Sequence, residues 1–308
     1  MTDAVLLMAY GSPDSLDQVE AYYTDIRRGN PPPPHLLDEL LKRYRAIGGG
    51  SPLSSVVERQ RAALEGALAA RGRPVPVYAG MRHIAPRIGT IVEGMARDGV
   101  TRFVAIALAP QRSSNAAGYR RAVDAALAAL GDGAPSYVFI ESWHDQPRLV
   151  EALSTVTAEA IARLADPARP RVMFTAHSLP ARVVAEGDTY PQELAETARL
   201  VAGRLGLTSW DFSFQSAGRT EEPWLGPDIL AEIRRLGAEG VPEIVISPVG
   251  FVAEHLEVLY DIDIEAQGVA ATAGIRIERA RSLNDDPTFI AGLADLAQGA
   301  LDQPSPAA

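Results

Sequence analysis

RVMFTAHSLP, residues 171–180, is the stretch on which the reading of the fold turns. Its first five residues form a short apolar run, the mark of a strand buried on both faces. The run ends at Ala176, a ring-bearing polar residue (His177), a tight corner and Pro180. The chain opens in the same form. Residues 4–13, AVLLMAYGSP, are an apolar run ending in Ala9, Tyr10, a corner and Pro13. Outward from each start the order of elements is alike. After the first come apolar runs at 75–79 (VPVYA), 102–108 (RFVAIAL) and 136–141 (SYVFIE). After the second come 211–215 (DFSFQ), 243–249 (EIVISPV) and 275–277 (IRI). Helical stretches are expected at about 15–28, 36–46, 52–70, 87–97, 116–130, 146–165 and 287–301. Strands alternating with helices predict parallel sheets covered on both faces. The weak internal repeat predicts two such α/β domains.

At 308 residues, 47% of them hydrophobic, the chain can bury two ordinary cores. Residues 1–150 and 151–284 are the expected domains, with the last helix (285–308) rejoining the first. The proline-flanked stretch 167–170 reads as a joint between them, and the final residues as a loose tail. A formal net charge of -10 argues against a nucleic-acid partner. With no cysteine, thiolate metal sites, disulfides and iron–sulfur clusters are all excluded. Any metal must be held by nitrogen and oxygen. The N-terminus enters a strand without the basic and apolar regions of a signal peptide. No apolar run approaches the ~20 residues of a membrane span. A cytoplasmic protein with no transmembrane segment is expected.

Ligands of such sheets sit beyond the carboxyl ends of the strands. Two domains facing one another would set Tyr10 and His177 on opposite walls of one cleft. The segment 251–265, FVAEHLEVLYDIDIE, follows a strand of the same sheet as His177. Read as a helix, it spaces Glu257, Asp261 and Glu265 four residues apart, near one face. A local π-bulge would straighten that line, and such bulges frequently lie at functional sites. Leu256, Val258, Leu259, Ile262 and Ile264 surround the acids, so the segment is expected to be largely buried, with burial raising the pKa of at least one carboxyl. One imidazole with one carboxylate makes an incomplete Fe²⁺ or Zn²⁺ site, suited to handling an ion in transit. His255, two residues from Glu257 on the same helix, should point elsewhere. His35, His83 and His144 have no acidic partner at ligand spacing. Arginines 27, 28, 43 and 45 cluster around loops and helix ends, where guanidinium groups bind carboxylates. The Gly48-Gly49-Gly50-Ser51 loop offers backbone N–H groups ahead of a helix, a generic anion site.

Several stretches together resemble the ferrochelatases. They are LLMAYGSP (6–13), YYTDIRRG (22–29), RYRAIGGGSPL (43–53), TAHSLP (175–180), FQSAGRTEEPWLGPD (214–228) and PVGFVAEHLEVLYDIDIE (248–265), in the family's order over nearly the whole chain. The resemblance implies the chelatase fold, two Rossmann-like domains each with a four-stranded parallel sheet flanked by helices, and insertion of Fe²⁺ into a porphyrin. It carries over His177 and Glu257 as the catalytic pair that handles iron and pyrrole protons. Asp261 and Glu265 become a metal or proton relay behind Glu257. Tyr10 matches the tyrosine that is the axial iron ligand of the coproporphyrin III enzymes, so coprohaem is the product implied. By the same resemblance Arg27, Arg43, Tyr44, Ser51 and Tyr119 hold the porphyrin. Gln111-Arg112 departs from the His-Phe or His-Tyr of those enzymes. No permanent cofactor is implied: Fe²⁺ is a substrate, and the iron–sulfur cluster that cysteines hold in some relatives is ruled out. The partners implied are the porphyrin, the iron and the downstream haem-pathway enzyme. Two alternatives stand beside this reading, a protoporphyrin IX ferrochelatase and a non-catalytic haem or porphyrin carrier that uses Tyr10 as its ligand.

Overall fold

A computed structural model describes residues 2–303, apart from 115 and 219. The chain forms two compact units, residues 1–143 with 284–308, and residues 144–283. The first unit runs β1 (Asp3–Ala9), α1 (Val19–Ile26), α2 (Pro34–Ala46), α3 (Leu53–Ala70), β2 (Val77–Met81), α4 (Ile88–Arg97), β3 (Arg102–Ala107), α5 (Ala117–Leu130) and β4 (Ser136–Ile140). The second runs α6 (Pro147–Ile161), β5 (Val172–His177), α7 (Arg182–Ala185), α8 (Tyr190–Leu205), β6 (Trp210–Gln215), α9 (Ile229–Ala238), β7 (Glu243–Ser247), α10 (Leu256–Leu259), a π-helix (Asp261–Ala266), α11 (Gln267–Ala273) and β8 (Arg276–Arg279). α12 (Pro287–Leu301) belongs to the first unit.

Each unit carries a four-stranded parallel sheet, ordered β2-β1-β3-β4 in the first and β6-β5-β7-β8 in the second. The two orders are the same, so the repeat read in the sequence is a repeat of topology. Each opening strand lies inside its sheet, which is why AVLLMA and VMFTA are apolar on both faces. Alternate residues of β1 divide between those faces. Ala4, Leu6 and Met8 pack with Ile88, Val92 and Met95 of α4 and with Tyr119, Val123 and Ala126 of α5. The opposite face meets α3 and α12. Arg102 of β3 is buried, and its guanidinium donates to the carbonyls of Ala300, Leu301 and Gln303. Arg73 Nη2 also donates to the Leu301 carbonyl at 3.3 Å, so two guanidinium groups meet carbonyls at the end of α12 that have no helical partner. In the second unit, Met173, Ile244, Ile246 and Ile277 pack under α9, Val258, Ile262 and Ala270. α6 and α8 pack together on the other side.

The proline-flanked stretch 167–170 is not a joint between domains. It connects α6 to β5 inside the second unit, and the chain crosses between units at 143–144 and 283–284. Residues 304–308 of the expected tail lie outside the described residues. Gly250 shows why the chain can turn back after β7. A Cβ there would sit 2.5 Å from Ala176 Cβ and 2.9 Å from Ala176 Cα, so only glycine lets this loop lie against β5. Among the described residues no helix is long and apolar enough to cross a membrane.

Candidate active site

The carboxyl end of β5 supplies the first candidate side chain. His177 is the last residue of the strand, its register partner is Gln215 at the end of β6, and Tyr190 of α8 donates its hydroxyl to the His177 carbonyl at 3.1 Å. His177 Nδ1 donates to the Ser178 carbonyl. Its Nε2 faces Glu257 Oε1 at 3.3 Å. Both ring nitrogens therefore point at acceptors, the arrangement of an imidazolium. Burial presses the His177 pKa down. The Glu257 charge and hydrogen bond, the Ser178 carbonyl and the Asp261 charge outweigh it, and the ring is pushed up to about 9.

Glu257 lies in the first turn of α10, and the chain leading to it is not helical. Residues 251–255 form a loop, and His255 has extended backbone, with φ -161°. This corrects the expectation for His255. Because the helix begins only at Leu256, the rule that residues two apart face different ways does not apply. His255 Nε2 comes 3.4 Å from Glu257 Oε2, while its Nδ1 donates to the Ala253 carbonyl at 3.0 Å. Glu257 is thus held between two imidazoles. Burial would raise its pKa, but the His177 charge and the hydrogen bonds from His177 and His255 hold it well below the usual carboxylate range. The expectation that burial raises a carboxyl here fails at Glu257 for that reason.

The line of acids continues through the π-helix, the bulge that the spacing pointed to. Glu265 N–H donates to the Tyr260 carbonyl at 2.9 Å, a five-residue step that widens the turn. Asp261 is 3% exposed and accepts a hydrogen bond from Ser216 Oγ. Ser216 holds that position with φ 61°, unusual for a residue with a Cβ. Gln215 Nε2 donates to the Glu257 carbonyl at 2.8 Å. Glu265 borders an open depression with Arg234, Ile264 and Thr272. Ile264, expected to be buried, is 39% exposed. The widened turn rotates it off the core face. Among the described residues no group of three or more ligating side chains is set to hold an ion. The arrangement suits an ion in passage, with two imidazoles converging on the Glu257 carboxylate, Asp261 buried behind it and Glu265 beside an open depression.

The first unit carries the other candidates. Tyr10 follows β1. Its ring centroid lies 4.3 Å from that of His83 and 5.7 Å from the Arg82 guanidinium carbon. Gly118 leaves room for that guanidinium, since a Cβ there would meet Arg82 Cζ at 2.3 Å. Tyr119, in the first turn of α5, is 5% exposed and packed in the core, and burial pushes its phenol up. Tyr44 is fully buried in α2, its hydroxyl 2.8 Å from Ser12 Oγ in the corner after β1. Ser51 N–H donates to the Pro13 carbonyl at 2.8 Å and its Oγ accepts from Leu53 N–H, so the triple-glycine loop lies against that same corner. Arg27 ends α1, with its guanidinium carbon 5.9 Å from the Tyr23 ring centroid. Arg43 lies 4.0 Å from Glu39 one turn earlier. Gln111, where the sequence departs from the family pattern, is buried.

Two further histidines have acidic partners that sequence spacing could not show. His83 Nδ1 pairs with Asp25 Oδ2 at 2.6 Å, although 58 residues separate them. Arg87 holds the other oxygen of Asp25 at 2.8 Å. Burial lowers the His83 pKa despite the carboxylate. His144 Nδ1 lies 3.3 Å from Glu193 Oε2.

Comparison with known proteins identifies the family. The family model described as Ferrochelatase matches residues 2–301. The chain is 44% identical to the ferrochelatase of Thermus thermophilus, over 96% of this chain and 98% of that one. It is 42% identical to the ferrochelatase of Deinococcus radiodurans, over 95% and 94%. It is also 42% identical to the coproporphyrin III ferrochelatase of Geobacillus thermodenitrificans, over 95% and 94%. Among solved structures, SirB from Bacillus subtilis with Fe³⁺ superposes with a TM-score of 0.62 at 14% identity, over 98% of this chain and 96% of that one, a likeness of fold. The chain belongs to the ferrochelatase family, enzymes of haem biosynthesis that insert metal into a porphyrin.

Proposed function

We propose that the chain inserts Fe²⁺ into coproporphyrin III in the cytoplasm, giving the coprohaem that a downstream haem-pathway enzyme consumes. The observation that carries metal insertion is the pair at 3.3 Å, His177 Nε2 and Glu257 Oε1, with buried Asp261 behind it. Two things support coproporphyrin III. Tyr10 stands at the end of β1, where the resembled enzymes of that substrate place their axial tyrosine. Relatives that carry that substrate in their name match over nearly the whole chain. Coproporphyrin III has four propionates, and Arg27 and Arg43 are the cations assigned to them, with Ser51 and Tyr119 beside the macrocycle. Tyr44 is buried and acts through Ser12, whose Oγ meets its hydroxyl.

In the resting state His177 is an imidazolium paired with a carboxylate. A ferrous ion displaces the Nε2 proton and takes the imidazole and Glu257 as transient ligands. Passing the ion to the ring frees two pyrrole protons. The imidazole takes one at Nε2 and restores the pair described above. The other leaves by way of Glu257, Asp261 and Glu265 toward the surface. Bending of the macrocycle on binding exposes the pyrrole nitrogens, at a strain of about 1–5 kcal/mol drawn from remote contacts. Iron stays ferrous throughout, so no redox cofactor or iron–sulfur cluster enters the scheme.

The test is an anaerobic insertion assay with coproporphyrin III and protoporphyrin IX side by side. Faster turnover of coproporphyrin III is expected. Preference for protoporphyrin IX would give the chain the other substrate, and stoichiometric binding of either without turnover would make it a carrier. Tyr10→Phe is expected to change the absorption spectrum of bound coprohaem, because the phenol oxygen is lost as a ligand. An unchanged spectrum would remove Tyr10 from the iron.

A further inference from the structure

Between Glu254 and Glu265 the chain carries acids at 254, 257, 261, 263 and 265, crowded enough to repel one another. Two of them do not face the His177 side. Arg279, the last residue of β8, takes both. Its Nε donates to Asp263 Oδ1 at 2.6 Å and its Nη2 to Asp263 Oδ2 at 2.9 Å, a two-pronged fork. Its Nη1 reaches Glu254 Oε1 at 3.1 Å and the Ala280 carbonyl at 3.2 Å. The side chain is only 16% exposed. Glu254 Oε1 also accepts from Ser282 N–H at 3.4 Å.

One guanidinium therefore joins the loop residue just before His255 to a residue inside the π-helix. The arc of chain between these anchors holds His255, Glu257 and Asp261. Its short first helix, α10, is a single turn and cannot fix the direction of Glu257 by itself. The clamp also sorts the acids. Asp263 and Glu254 are neutralised, while Glu257, Asp261 and Glu265 remain for the ion. We propose that Arg279 is a positioning residue for metal insertion, which fixes Glu257 against His177 by tying Glu254 to Asp263. This rests on His177 and Glu257 being the metal-handling pair. Lysine cannot replace it, because an ammonium has no planar fork to span a carboxylate and a third partner.

The experiment uses the full chain with Arg279→Lys, Arg279→Met and Asp263→Asn. Anaerobic insertion kinetics, porphyrin binding by fluorescence and amide exchange over residues 254–266 are read together. The expected result is a fall in kcat of about 10–100-fold, the cost of a misplacement of roughly 1 Å. The porphyrin Kd should stay within about twofold, and exchange should rise over 254–266 and not in the sheets. Arg279→Lys and Asp263→Asn keep most of the packing, so they decide the matter if Arg279→Met fails to fold. Folded Arg279→Lys and Asp263→Asn proteins with wild-type kcat would overturn the proposal. So would a parallel loss of kcat, porphyrin affinity and thermal stability, which marks a role in the fold alone. A wild-type chain that inserts no iron would instead defeat the functional reading. In that case unchanged exchange over 254–266 in Arg279→Met would still sink the clamp.

Discussion

His177→Ala is expected to lower iron insertion by about 10²–10⁴-fold, the range that a positioned proton-transfer group supplies, while coproporphyrin III still binds. The imidazole stands at the carboxyl end of β5, one strand end away from Gln215, and carries no visible share of the core. Removing it leaves Glu257 with His255 as its remaining imidazole, at 3.4 Å. His255 is tied by Nδ1 to the Ala253 carbonyl and cannot swing into the vacated place without breaking that bond. The check pairs anaerobic turnover with porphyrin fluorescence quenching on the same sample. Turnover within tenfold of wild type would remove His177 from the chemistry.

Insertion at limiting metal is expected to rise with pH by about 10-fold per unit, because one proton must leave for each ion that binds. The rise should level off near the His177 value of about 9. Zn²⁺ in place of Fe²⁺ allows the profile to be measured between pH 6 and about 8. The same pair affects folding. His177 has a folded pKa raised above its ordinary 6.5, so its contribution to stability is complete below 6.5 and is lost as pH rises through about 9. Glu257 has a lowered pKa, so its contribution is present above 4.5 and is lost as pH falls. Glu257→Gln removes the partner charge. It should bring the levelling of the activity rise to lower pH and flatten the loss of stability between 6.5 and 9. A Glu257→Gln protein with an unshifted profile would mean that some other group sets it.

Much of this architecture was legible because its signals are local. Apolar runs such as AVLLMA fit strands inside a sheet covered on both faces, and the repeat of strand, corner and proline foretold the repeat of sheet order. Strand ends moved by a residue or two, as with β5, which runs on through Ala176 and His177. The spacing of Glu257, Asp261 and Glu265 pointed to the π-helix because four-residue spacing fits a widened turn better than an α-helix. What stayed hidden depends on chain segments meeting from afar. Asp25 reaches His83 from 58 residues away. Arg279 reaches Asp263 and Glu254 across 16 and 25 residues. His255 differs from expectation for a local reason, since nothing in FVAEHLE marks where the helix begins. The pKa of Glu257 runs against the expectation from burial because two imidazoles stand beside it.

The turn from Tyr260 to Glu265 contains one residue more than an ordinary helical turn needs. Removing one, the outward-facing Ile264 for instance, would let the segment close as plain α-helix, with everything beyond it still in place against α9. Left at full length instead, a plain α-helix would wind the carboxylates about 40° at each four-residue step, turning the row through about 80° between Glu257 and Glu265. The surplus residue contributes little to the apolar interior. It keeps the negative charges in file, a matter of phase that a count of buried side chains would overlook.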